Sequence, residues 1–220
     1  MKSPTTRLLL LSAFTLLFGS IAARAAVISF EDLTTRDNFD HLGISNTYLG
    51  YSWGKGTSAG VAGRTYANTG SGWASATASS TAVTPPPTGL DGTSYAWNWN
   101  GLQSLWINFG GSVDFTSGDF STLSSAYGNN ASTIQLFGYD AADNLIAVSS
   151  VLGLANNMQT LTANFSGIQS LEIRANANQW FSVDSLVINE NNTVPETSSS
   201  LALLGGALVV FASLRRRVLA

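Results

Sequence analysis

The chain has no cysteine, a single histidine and few charges: ten Lys and Arg and thirteen Asp and Glu in 220 residues. Without cysteine, neither disulfides nor Cys-rich structural zinc can hold the fold, which must rest on its core. The lone histidine, His41, sits in Arg36-Asp37-Asn38-Phe39-Asp40-His41. That run reads as a polar turn, and no nucleophile or oxyanion hole accompanies it, so His41 reads as a solvated loop residue and not a general base. Cations are scarcest in the middle of the chain. Once Lys2, Arg7, Arg24 and Arg215 to Arg217 at the two ends are set aside, Arg36, Lys55, Arg64 and Arg174 face twelve carboxylates. A body with a net charge of about −8 cannot neutralise a run of phosphates, which excludes nucleic acid as a partner. A helical apolar stripe is also missing from the body.

What the chain does have is most explicit at its ends. Lys2 and Arg7 precede an apolar run from Leu8 to Phe18, and Ala23-Arg24-Ala25 fits the small-residue cleavage rule. Residues 1–25 therefore read as a secretory signal peptide, cut after Ala25 or Ala26. The last 27 residues, 194–220, run from Val194-Pro195-Glu196 through a polar spacer and an apolar segment to Arg215, Arg216 and Arg217. Residues 198–214 would make about 25 Å of helix, marginal against a hydrocarbon core of roughly 30 Å. The arginines would stop it on the cytoplasmic side of the inner membrane. Such a segment reads as a temporary membrane hold.

Between the ends, residues 26–190 suit one domain, followed by a short linker, 191–193. Period-two alternation recurs in segments 27–32, 47–53, 104–109, 133–139, 144–151, 159–165, 170–174 and 180–189, with Val113 and Phe115 continuing the third. In the first, Ile28 and Phe30 share a face; in the second, Leu49, Tyr51 and Trp53 do. The last switches face from Phe181 and Val183 to Leu186 and Ile188, which implies a bulge near Asp184. Many short strands with turn signals every eight to twelve residues predict an all-β, antiparallel, jelly-roll-like β-sandwich with first and last strands side by side. Residues 54–92, rich in Gly, Ser, Ala and Thr, read as an irregular insertion or pair of irregular strands at one end.

Chemistry-bearing patterns are few. Gly56-Thr57-Ser58-Ala59-Gly60 matches a nucleophile elbow in letters only, because no helix signal follows and the histidine precedes the serine. Tyr95, Trp97 and Trp99 fall on one face of a strand, where they offer either a sugar-stacking platform or part of the core, with core the stronger reading. By the same pattern Trp73 and Trp106 read as more exposed. If first and last strands are neighbours, Glu31 and Asp184 could converge on a structural calcium.

The order Val194-Pro195-Glu196, spacer, apolar helix and arginines closely resembles the PEP-CTERM sorting signal, although Val-Pro-Glu-Thr departs from the commonest Pro-Glu-Pro by one residue. The resemblance implies processing by a membrane-embedded exosortase and delivery to the cell surface or extracellular matrix. The body resembles uncharacterised PEP-CTERM proteins through Ile28-Ser29-Phe30-Glu31-Asp32-Leu33, Tyr48-Leu49-Gly50-Tyr51-Ser52-Trp53 and Phe181-Ser182-Val183-Asp184-Ser185-Leu186. That similarity implies a carbohydrate-binding-module-like sandwich and no established activity. Phe30-Glu31 and Val183 to Leu186 are also similar to positions that hold structural calcium in many such modules. The expected function is a non-enzymatic, exported surface or matrix protein binding glycan or exopolysaccharide. The alternatives are a purely structural or adhesive envelope protein and, third, an extracellular glycan hydrolase or lyase on the same fold.

Overall fold

The computed structural model describes residues 24–33, 41–45, 47–56, 60, 64–65, 72–79, 86–99, 102–123, 129–177 and 179–190. The expected signal peptide up to residue 23, the expected sorting motif, residues 198–214 and the arginine cluster lie outside the described residues. Among the described residues no helix is long and apolar enough to cross a membrane.

Among the described residues twelve strands form one curled antiparallel sheet: β1 (Arg24–Ile28), β2 (His41–Gly43), β3 (Ser52–Gly56), β4 (Arg64–Thr65), β5 (Trp73–Thr77), β6 (Ser94–Asn98), β7 (Ser104–Thr122), β8 (Thr133–Tyr139), β9 (Leu145–Val148), β10 (Leu152–Gly153), β11 (Gln159–Ala175) and β12 (Phe181–Glu190). The main path runs β10-β8-β11-β7-β12-β6-β5-β2. Strands β7 and β11 are the hinge of the architecture. The first part of β7 pairs with β3, the second with β12, and β11 follows it along both. Their register jumps from Ser170↔Asn108 to Ile168↔Val113. There Gly110 and Gly167 adopt φ of 72° and 70°, a region open to glycine, so the strands turn a corner instead of ending. Asp114 clamps that corner, its Oδ1 accepting from Ser166 Oγ at 2.7 Å and from the Gly167 amide at 2.9 Å.

The two halves close on a shared core. Leu105, Ile107, Leu136, Leu171 and Ile173 meet Phe115, Phe120, Phe181, Val183, Leu186 and Ile188, with Phe30, Trp53 and Trp73 at one end. Trp53 and Trp73 stand edge to face, centroids 4.7 Å apart, and their indole N–H groups donate to the carbonyls of Tyr48 and Gly54 at 2.7 and 3.0 Å. Each ring thus buries its apolar surface without leaving its N–H unpaired.

The all-β expectation holds, as do the pairing of β1 with β12 and the bulge, which sits at Ser185 with φ 46°. Several local expectations do not. Segments 159–165 and 170–174 are one strand, because the corner at Gly167 bends the chain without ending it, while 104–109 runs on through 113–115 as its continued alternation expects. The first strand stops at Ile28 and Phe30 turns to φ 60°, yet its ring still reaches the core. Leu49 has φ 53° within a short 3₁₀ turn and is exposed, while Trp53 is buried in β3. His41 opens strand β2, paired with Ala76 of β5, and does not sit in a turn. Residues 54–92 include β5, a fully integrated strand. Trp73 and Trp106 are buried, because both faces of the sheet are covered.

Candidate functional site

The outer face of β5, β6, β7 and β12 carries a second, smaller cluster. Tyr95 and Trp97 alternate outward from Ser94, Ala96 and Asn98, and meet Ala74, Ala76 and Leu123. The strap 86–91 crosses this face and is tied to 154–158: Thr88 N–H donates to Asn156 O at 3.1 Å, and Met158 N–H to Thr88 O at 2.7 Å. Leu90, Met158, Trp99 and Trp180, each half-buried, close the cluster. Of the two readings of this face, core, the stronger one, describes two of the three rings. Tyr95 and Trp97 are packed away at 0% and 2% exposure, and only Trp99 retains accessible surface.

Trp180 joins them; the sequence reading places it at the head of the last strand, 180–189, and not among the candidate site residues, whereas it stands one residue before β12. The Trp97 ring lies 5.4 Å from Trp99 and 5.2 Å from Trp180, tilted by 56° and 31°. Three polar atoms on segments paired with or adjoining this triad are buried with no hydrogen-bond partner among the described residues: Asn130 Oδ1, Gln179 Oε1 and Ser182 Oγ. Backbone pairing brings their segments to this end. Asn130 bridges to Trp180, Gln179 adjoins it, and Ser182 lies directly across from Trp97. A buried polar atom left unbonded costs about 1–3 kcal/mol. Asn98, between Trp97 and Trp99, is fully engaged: it donates to Leu102 O and Gln179 O at 2.7 Å each and accepts from Phe181 N–H at 2.8 Å. It fixes the Gln179–Trp180 turn.

Glu31 and Asp184 do converge, but on a peptide segment. Glu31 Oε1 accepts from the amides of Thr93 and Ser94 at 2.9 and 2.7 Å, and Oε2 from Thr93 Oγ1 at 3.0 Å. Asp184 Oδ2 accepts from Asp91 N–H at 3.1 Å and Oδ1 from Ser185 N–H at 2.8 Å. Amide N–H dipoles aimed at both carboxylates supply the positive partner that a calcium ion would supply, and a cation site needs oxygens in those directions. The donor set does not fit calcium. Among the described residues no three His, Cys, Asp or Glu side chains form a metal cluster. Gly92 is part of this grip, since a Cβ there would stand 2.5 Å from the Glu31 carboxyl. Replacing Glu31 by alanine is expected to cost about 1–3 kcal/mol in urea unfolding, because three hydrogen bonds to a carboxylate are lost at the start of β6. An unchanged midpoint would show that the anchor is idle.

Burial pushes the Asp184 carboxyl up to about 7, with the Asp91 and Asp119 charges adding and its two amide hydrogen bonds opposing. A third acid, Glu172, serves the other outer face. It is fully buried beside Trp106, Phe137 and Tyr139. It accepts from Tyr139 Oη at 2.8 Å and, bidentately, from Arg174 Nε and Nη2 at 2.8 and 2.6 Å. Arg174 in turn lies 3.6 Å over the Phe137 ring. Burial and the bond to Glu172 push the Tyr139 hydroxyl well above its ordinary range. Burial disfavours the Arg174 charge, but Glu172 outweighs it and holds the guanidinium ionised.

No protein-family model matches the chain, and no curated protein matches it. Among solved structures it is similar to a DUF4465 family protein from Bacteroides caccae, with 13% identity over 76% of this chain and 100% of that one and a TM-score of 0.44. It is also similar to a family 29 carbohydrate-binding module, CBM29-2, with 12% identity over 76% and 92% of the two chains and a TM-score of 0.36. The CBM22-1–GH10 modules of a Clostridium thermocellum endo-1,4-β-D-xylanase match at 14% identity over 80% of this chain and 30% of that one, TM-score 0.31. At these scores the reading of function rests on the site.

Proposed function

We propose that this is an exported, non-enzymatic surface or matrix protein, processed by an exosortase at Val194-Pro195-Glu196, whose sandwich binds a glycan at the Trp97–Trp99–Trp180 end. The observation that carries the binding reading is the pairing of two half-buried indoles with three buried polar atoms that have no partner among the described residues. Indole faces stack on the apolar faces of sugar rings, and the carboxamide and hydroxyl oxygens accept from sugar hydroxyls. Support for export and sorting comes from the two termini of the sequence.

The test is a glycan array probed with the purified full chain, including the producing organism's own exopolysaccharide. Trp99→Ala with Trp180→Ala is expected to weaken binding at least tenfold while the melting transition survives. Binding unmoved by that pair, in a folded protein, would sink the site. Silence across the array would favour the structural or adhesive reading, which the burial of Tyr95 and Trp97 also suits.

A further inference from the structure

We propose that the sheet edge Leu145–Gly153 is a self-association surface, on which a second copy of this chain docks antiparallel about a twofold axis at Val148. Strands β9 and β10 both pair with β8 and, among the described residues, with nothing on their other side. Leu145, Ile146, Val148 and Val151 are 51%, 48%, 49% and 58% exposed, four of the six exposed large apolar side chains of the described residues. Between β9 and β10 the chain bulges, three residues passing two of β8, and Val151 is thrown outward. Sheet edges are ordinarily blunted by lysine, proline, inward charge, short strands or bulges. This one is short and bulged but carries no charge or proline, since none occurs from Asn144 to Leu171.

The backbone is ready to pair. Ser149 N–H bonds inward to Leu136 O at 3.0 Å, so by antiparallel alternation the N–H and C=O of Val148 point away from β8. A twofold at Val148 sets Leu145 opposite Val151 of the second copy and Ile146 opposite its Ser150. Charge selects this occupant and this direction. The acids Asp140 and Asp143 stand at one end of the edge only. Antiparallel docking sends the two acidic turns to opposite ends, each Asp143 facing Gly153 of the other copy. Parallel docking would oppose Asp143 to Asp143, and an anionic bilayer would meet the same acids. Size sets the strength. A stable interface takes roughly 20–30 residues a side, whereas this edge offers about nine, so the pair is weak and forms where copies are crowded on one surface.

The absence of cysteine gives a clean test. Val148→Cys in the full chain should form a disulfide dimer under copper–phenanthroline, because a twofold at this residue makes a hydrogen-bonded pair with the two Cα atoms about 5.5 Å apart. The rate should exceed that of Val27→Cys, a comparably exposed site at 54% on β1, at least tenfold. Adding Ile146→Lys should suppress it, and because that side chain is half exposed the fold survives; Val151→Asp serves as an independent second block. Equal rates for the two thiols would overturn the proposal. So would a Val148→Cys thiol that fails to cross-link yet is shielded by phosphatidylcholine vesicles, a result that would assign the edge to lipid.

Discussion

Replacing Glu172 by alanine is expected to lower the unfolding free energy by about 3 kcal/mol, the low end for breaking a buried ion pair, because the Arg174 side chain left behind keeps 20% exposure. For a domain of this size that is a fall of roughly 10 °C in melting temperature. The loss has three parts. Arg174 keeps its charge, held over Phe137, with no carboxylate to receive Nε and Nη2. Tyr139 loses the acceptor of its hydroxyl. The Gly60 amide, 3.5 Å from Glu172 Oε1, loses its link to the sheet. Glu172→Gln should fall between, since it retains an acceptor and the volume. The decisive comparison is Glu172→Leu with Arg174→Met, which removes both charges and keeps the packing against Trp106. It should cost less than Glu172→Ala alone, because the penalty lies in the orphaned charge and not in the lost attraction. If the double variant is the less stable, the ion pair itself stabilises the fold.

The same residues show where sequence reading succeeds and where it stops. Alternation located β8 to the residue, the adjacency of β1 and β12, and the switch of face after Asp184, because each follows from which side chains must reach the central core. It misjudged Trp106 and Trp73 because alternation assumes that the second face of a strand is wet. Here a row running Gly54, Trp106, Glu172, Phe137 across four strands is covered, and so is the face of Tyr95 and Trp97. A polar letter such as Glu172 in an otherwise outward row looks solvated until its partners Arg174 and Tyr139 are seen. The acids Glu31 and Asp184 were legible as a convergent pair. Their partners were not, because backbone amides carry no letter. Trp180 and its neighbours Gln179 and Asn130 became a site only through an isolated bridge between segments fifty residues apart.

Asp184 is expected to make the fold lose stability as pH rises from about 4 to 7, against the usual direction for a carboxylate. Its folded value is about 7, above the unfolded value of about 3.9. Between those values the native state holds a proton that the unfolded chain has released, so stability falls with rising pH. Above pH 7 both states are ionised and the full penalty applies, at most about 4 kcal/mol for a difference of roughly three units. Below about pH 4 it vanishes. The cause is geometric: the carboxyl is buried under the strap, across from Asp119 and next to Asp91, and its two amide donors offset only part of the desolvation. Other carboxylates titrate over the same range, so the measurement is a difference, wild type minus Asp184→Asn, from urea unfolding at pH 4 and pH 8. The variant should be the more stable protein at pH 8 and lose that advantage at pH 4. Its gain should stay below the full penalty, because asparagine has one acceptor for two amides. An advantage that is the same at both values would mean that Asp184 is ionised throughout, with the amides of Asp91 and Ser185 outweighing its burial.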